Sequence, residues 1–141
     1  MDSDAVRARI ESARPRARVR ARPRRLLDVG AVTPTQIANA LIVSEGLQTP
    51  ANWYSLTRED ALKKLSFTLA KDMAYGTPIL PEPEATEHAQ LWLALYGATA
   101  QHLTNNDPRG FISQVSSATF EFCLVSVATD LVGLVLIEDE D

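Results

Sequence analysis

The sequence has few of the residues on which most metal and disulfide sites depend. Its 141 residues include one cysteine, Cys123, and two histidines, His88 and His102. A single cysteine excludes an internal disulfide and is typical of a reducing compartment. Two histidines without a cysteine pattern are few for a catalytic zinc ion, which takes about three protein ligands. We therefore expect no metal and no cofactor.

The patterns of common catalytic sites are also missing. The six glycines are isolated along the chain, so no glycine-rich loop is available to hold phosphate groups. No G-x-S-x-G sequence is present, and Cys123 lies in an apolar run, whereas reactive cysteines lie in exposed, electropositive surroundings. We therefore predict a protein without catalytic activity. An enzyme whose site is assembled from distant residues is the third of three alternatives.

The longest apolar run extends over residues 118–137 and has the length of a membrane helix. Two acids inside it, Glu121 and Asp130, argue against a membrane, because an acid near the bilayer centre costs about 2.5–3.5 kcal/mol. Its β-branched and aromatic residues favour strands. We predict a hairpin with strands Thr119–Ala128 and Leu131–Glu138, covered on both faces. The N-terminus lacks an apolar signal segment, so the expected location is the cytoplasm, without membrane contact.

The charge is distributed unevenly along the chain. Residues 1–30 hold nine arginines and four acids, a net charge of +5, whereas residues 31–141 hold five basic and fourteen acidic residues, a net charge of −9. Residues 14–25 read RPRARVRARPRR, in which so much like charge favours disorder. We predict a disordered extension over residues 1–30 and a single domain over residues 31–141, and we expect deletion of residues 1–25 to leave stability nearly unchanged.

The arginine-rich extension has three alternative interpretations. It is a solvated tail, a transit peptide, or an arm that binds nucleic acid through phosphate contacts. Acids among its first residues argue against the transit peptide. The candidate nucleic-acid residues are Arg14, Arg16, Arg18, Arg20, Arg22, Arg24 and Arg25.

Helix signals occupy the middle of the chain. Thr33 and Gln36 have the spacing of a capping box, and Thr57 is a second N-cap. A third helix is predicted from about Glu84 to Tyr96, and Asp107 begins a short helix with Phe111, Ile112 and Val115 facing inward. The predicted fold is α+β, with three to four helices followed by the C-terminal hairpin and a possible further strand near Leu26–Val29.

The leading prediction of function is a small, acidic, intracellular module that binds another protein. Its negative charge would suit a basic partner, and an inhibitor or immunity-type protein is one concrete form of it. A nucleic-acid-associated regulator that uses the arginine arm is the alternative. The oligomeric state stays open. The candidate acidic binding surface consists of Glu82, Glu84, Glu87, Glu138, Asp139, Glu140 and Asp141.

Overall fold

The structure, a computed structural model, describes residues 2–140. Their elements, in chain order, are α1 (Ser3–Ser12), β1 (Arg18–Arg25), a single 3-10 turn (Leu26–Asp28), α2 (Pro34–Ser44), β2 (Tyr54–Leu56), α3 (Arg58–Ala70), α4 (Glu82–Ala94), β3 (Gln101–Thr104), β4 (Phe120–Val127) and β5 (Leu131–Asp139). None of the helices in this part of the chain has both the length and the apolar character that a membrane span requires. The α+β class is confirmed.

The five strands form one antiparallel sheet in the order β1-β5-β4-β3-β2. The hairpin of β4 and β5 is at its centre, with Phe120 opposite Asp139 and Val127 opposite Val132. A hydrogen bond from the Ala128 amide to the Leu131 carbonyl, 2.9 Å long, closes the turn. The predicted hairpin is therefore present, but the predicted order of helices followed by strands is wrong, because β1, β2 and β3 are interspersed among and after the helices.

Helices cover both faces of the sheet. The side chains of β4 alternate, so that Phe122 and Leu124 pack in one core with α1, α3 and α4. Cys123 and Val125 point to the opposite face and pack in a second core with α2. Because both faces of the central hairpin are buried, its sequence is apolar almost without interruption.

The predicted disorder of the N-terminal extension is wrong. Helix α1 buries Val6 and Ile10, and β1 pairs with β5 along its whole length. The alternation of arginine with small residues has the period of a strand. It turns Val19 and Ala21 toward the core beside α1, and Arg20 and Arg22, which alternate with them, meet acids from other elements.

Two local predictions also fail. The possible strand near Leu26–Val29 is the 3-10 turn, which follows β1 directly. The short helix expected from Asp107 is instead irregular chain between β3 and β4, in which Val115 is buried but Phe111 is 70% exposed. Both capped helices are present, since Thr33 accepts from the Gln36 amide and Thr57 accepts from the Asp60 amide.

Candidate interaction site

Arg14 and Asp139, which were candidates for two different binding surfaces, bind each other inside the protein. Their side chains are 3% and 6% exposed, and Nη2 of Arg14 lies 2.5 Å from Oδ1 of Asp139. Nη1 of Arg14 donates to the carbonyl of Thr68 at 2.6 Å, and Oδ2 of Asp139 accepts from the Met73 amide at 2.9 Å. This pair therefore joins the N-terminus, the end of α3 and the last strand.

Three further arginines surround one acid at the end of α2. Glu45 lies 3.5 Å from Arg20, 3.2 Å from Arg22 and 3.5 Å from Arg24, and its own side chain is 10% exposed. Arg22 also reaches Glu11 on α1 at 2.9 Å. Two carboxylates, Glu45 and Glu11, thus bring negative charge from helices on both faces of the sheet to three arginines of β1.

The remaining arginines of this group differ in their surroundings. Arg25 pairs with Asp28 at 3.1 Å, on the surface. Arg16 and Arg18 are exposed and have no ion-pair partner among residues 2–140. Because the segment belongs to the sheet, it is not an extended arm, and nucleic-acid binding through these residues stays a prediction.

The candidate acidic residues fall into two groups with different environments. Glu82, Glu84 and Glu87 are exposed on the first half of α4. Glu138 faces Arg20 at 3.9 Å, and Glu140 accepts a 2.8 Å hydrogen bond from the Thr119 hydroxyl. With Asp139 bound to Arg14, the described acids of the C-terminus are engaged within the fold. Asp141 lies outside the described residues, and partner binding by either group stays a prediction.

One pair of side chains has the spacing of a nucleophile and its base. Nδ1 of His102 lies 2.8 Å from the hydroxyl of Ser126 on the neighbouring strand. Both residues are buried, at 2% and 0% exposure, beneath the helices. Burial, together with the positive charge of Arg58, lowers the pKa of His102. A substrate has no access to this pair, and we assign it to the core.

Cys123 as a nucleophile and the pair Glu84 and His88 as metal ligands are two further candidates for a reactive or metal-binding site. The thiol of Cys123 is buried, and its burial raises its pKa well above the usual value. Glu84 and His88 lie 3.8 Å apart on α4. No group of three or more potential metal ligands occurs within residues 2–140.

A buried carboxylate organises the long segment between β3 and β4. Glu121 on β4 is fully buried. Its oxygens accept hydrogen bonds from the side-chain amide of Asn105 at 2.8 Å and from the backbone amide of Val115 at 2.9 Å. They also accept from the backbone amide and the hydroxyl of Ser116, at 3.1 and 3.0 Å. All of these donors are uncharged. Glu121 therefore fixes both ends of the connecting segment, which we name the 105–118 loop.

Asn105 supports the same loop from the opposite end. Its side-chain amide also donates to the Ser113 carbonyl at 3.1 Å, and its side-chain oxygen accepts from the Cys123 backbone at 2.9 Å. The Ser113 amide donates in turn to the Asn105 carbonyl. From the sequence, Glu121 served only as an argument against a membrane helix. An acid inside a buried strand was nevertheless a signal, because a buried charge needs specific partners.

The tip of the 105–118 loop is a tight turn stabilised by an ion pair. Arg109 donates to both carboxylate oxygens of Asp107, at 3.1 and 2.8 Å, and these hydrogen bonds lower the pKa of Asp107 to about 2. Gly110 has a positive φ of 102°, which a side chain would disfavour. The turn leaves Phe111 70% exposed, directly after Gly110.

An open cleft lies beside this tip. Its volume is about 710 Å³, and it is lined by Tyr54 and Asn52 on one side and by Phe111 and Gln114 on the other. No charged side chain lines it. The backbone amide of Asn52 donates a 3.0 Å hydrogen bond to the Ser113 hydroxyl, which connects the segment before β2 to the loop. The tip and the cleft together form the candidate interaction site.

Comparison of the chain with protein-family models, with curated proteins and with solved structures gives no match. Its function therefore has to be inferred from its own residues.

Proposed function

We propose that this protein is a non-catalytic module that binds another protein through the tip of the 105–118 loop. The observation that carries the proposal is the exposure of Phe111, at 70%, on a loop that the buried Glu121 holds in place. The exposure of Phe111 and the order of the loop are both needed, since an exposed aromatic side chain on a disordered loop would not indicate a binding site.

The composition of the tip supports binding to a protein. Phe111 is accompanied by Arg109, whose side chain is 79% exposed, and by Tyr54 in the adjoining cleft. Aromatic residues and arginine are enriched in protein interfaces, and tyrosine and arginine are frequent among the residues that dominate binding energy. In its exposed position Phe111 forgoes the roughly 1.5–3 kcal/mol that burial of such a side chain contributes, and a partner that covers it would recover part of this stabilisation.

The support beneath the tip favours the same conclusion. A buried carboxylate is expensive unless its hydrogen bonds are satisfied. The fold meets that requirement at Glu121 with four donors from the loop, two from its backbone and two from its side chains. A loop that is ordered before binding loses less conformational entropy when the partner arrives.

The shape of the tip suggests the kind of partner. Phe111 and Arg109 both extend into solvent at the tip, and side chains of this kind can enter a concave site on another protein, so an inhibitor or immunity-type protein is a concrete form of this function. The net charge of −4 would favour the approach of a basic partner. The exposed acids of α4 would add to this attraction.

The test compares the wild-type protein with Phe111→Ala as baits for quantitative affinity purification. Tyr75→Ala is the matched control, since Tyr75 is 77% exposed and lies outside the proposed site. We expect the wild type and Tyr75→Ala to retain one partner protein equally. Phe111→Ala should retain about 30-fold less of that partner, which is the effect of losing one dominant contact.

Equal retention of every bound protein by the three baits would contradict the proposal. Because Phe111 is exposed, its replacement should leave the thermal unfolding curve unchanged, which separates a lost contact from a lost fold.

A further inference from the structure

All three lysines of the chain lie around one exposed phenylalanine on α3. Lys63 and Lys64 precede Phe67 by four and three residues, and Lys71 follows it by four. Lys63 and Lys64 share one face of α3 with Phe67, and Lys71, the residue directly after α3, places its ammonium group over the Phe67 ring. Phe67 is 57% exposed at the centre of this face. We name these four residues the lysine patch.

The charges of the lysine patch are largely available to a ligand. Lys64 and Lys71 have no ion-pair partner among residues 2–140. Lys63 pairs with Glu59 at 3.1 Å, but both side chains are at least 70% exposed, and such surface pairs contribute little. Nζ of Lys71 lies 5.2 Å from the centre of the Phe67 ring, within the range of a cation–π interaction.

A groove between α3 and α4 adjoins the lysine patch. Its volume is about 290 Å³, and Leu62, Ala70 and Phe67 give it an apolar surface. The hydroxyl of Ser66, which also lines it, makes no hydrogen bond among residues 2–140. Lys63 lines the groove from α3 and Lys71 from the residue directly after it, whereas Glu82 and Thr86 line it from α4. The groove is thus positive on its α3 side and negative at Glu82.

We propose that this groove binds a short acidic segment of another protein, with one aliphatic side chain inserted between α3 and α4. The apolar surface would receive the aliphatic side chain. Carboxylates on either side of it would pair with Lys63 and Lys71, and Glu82 would hold the segment toward α3 by repulsion. Since the chain as a whole is acidic, the lysine patch is a local exception, and charge complementarity selects the ligand.

A nucleic acid fits this site less well than an acidic peptide. A strand of phosphates carries charge at every nucleotide and gains affinity from each contact with a cation. Glu59 and Glu82 lie next to the lysines and would repel a continuous strand. A peptide can place its few charges opposite the lysines alone. Lysine patch binding is separate from the tip of the 105–118 loop and does not depend on it.

The test is fluorescence anisotropy with the purified full chain and a labelled peptide in which one leucine is flanked by two acids on each side. We expect saturable binding that added salt weakens. Lys63→Gln and Lys71→Gln should each weaken it about fivefold, and Phe67→Ala should weaken it further. Glu82→Gln should strengthen binding about twofold, and a purely structural role for these residues would not explain a gain.

Two controls make the result specific. A peptide with glutamine and asparagine in place of its acids should not bind, and Tyr75→Ala should bind the acidic peptide as the wild type does. Absence of saturable binding would overturn the proposal, as would binding that ignores the lysine and glutamate substitutions. Tighter binding of a short oligothymidylate through the same lysines would overturn it in favour of a nucleic acid.

Discussion

Replacement of Arg14 by leucine should destabilise the protein strongly, because the change leaves a buried carboxylate without its partner. Arg14 is 3% exposed and binds Asp139, which is itself buried. Removing one member of a buried ion pair costs about 3–5 kcal/mol. The change also leaves the Thr68 carbonyl without the Arg14 hydrogen bond.

Urea denaturation followed by far-ultraviolet circular dichroism measures this effect. With a dependence of about 2 kcal/mol per molar urea, typical of a small protein, the midpoint should fall by roughly 1.5–2.5 M. Arg16→Leu is the matched control, since Arg16 is an exposed arginine two residues further along the chain. A surface substitution of this kind should change the free energy of unfolding by no more than about 0.5 kcal/mol.

A double-mutant cycle isolates the contribution of the pair. Asp139→Leu should also destabilise the protein, but the double variant should lose less than the sum of the single losses, with a coupling of about 2 kcal/mol. Indistinguishable midpoints for Arg14→Leu and Arg16→Leu would refute this reasoning. They would mean that residues 1–25 are a dispensable tail, as the charge pattern alone suggested.

Two further predictions concern the core between the sheet and α4. Gly133→Ala should destabilise the protein by about 1–3 kcal/mol, because the added methyl group would overlap the Tyr96 hydroxyl and lie 2.7 Å from Cζ of the same ring. Thermal unfolding measures this loss of stability. If Tyr96→Phe in the same background restores no stability, the overlap with the hydroxyl is not the cause. For His102, whose pKa is below its usual 6.5 in the folded state, the unfolded chain binds the proton first as the pH falls. The free energy of unfolding should therefore decrease from about pH 7 to about pH 5, and the decrease should be smaller in His102→Gln; an equal decrease in both proteins would assign the pH dependence to other groups.

The elements that depend on neighbouring residues could be predicted from the sequence. The capping box at Thr33 and the cap at Thr57 fix where α2 and α3 begin, because a cap needs only a side chain and an amide three residues away. The central hairpin was predictable for a related reason. Its β-branched and aromatic residues favour strands, and Thr129 and Asp130 mark the turn between them. The register of the two strands was left open by the sequence.

The fate of the arginine-rich segment was decided by residues far from it in the sequence. Glu45 pairs with arginines that lie more than 20 residues before it, and Asp139 lies 125 residues from Arg14. The local charge of residues 14–25 gives no information on either contact. For this reason the charge pattern alone predicted disorder. The strand period of the arginines was visible in the sequence, but nothing local showed that a partner strand and counter-charges would meet it.

The candidate site was hidden for the same reason. The sequence identified Phe111 as apolar and placed it inward, since an apolar residue near a helix start usually packs. Only the tertiary structure showed that Glu121 binds both ends of the 105–118 loop and that Phe111, at its tip, lies in solvent. Local sequence thus determined the helix caps and the central hairpin, through contacts that span a few residues. Burial, ion pairing and the exposure of the site were decided by the folded chain, because these properties depend on which distant residues come together.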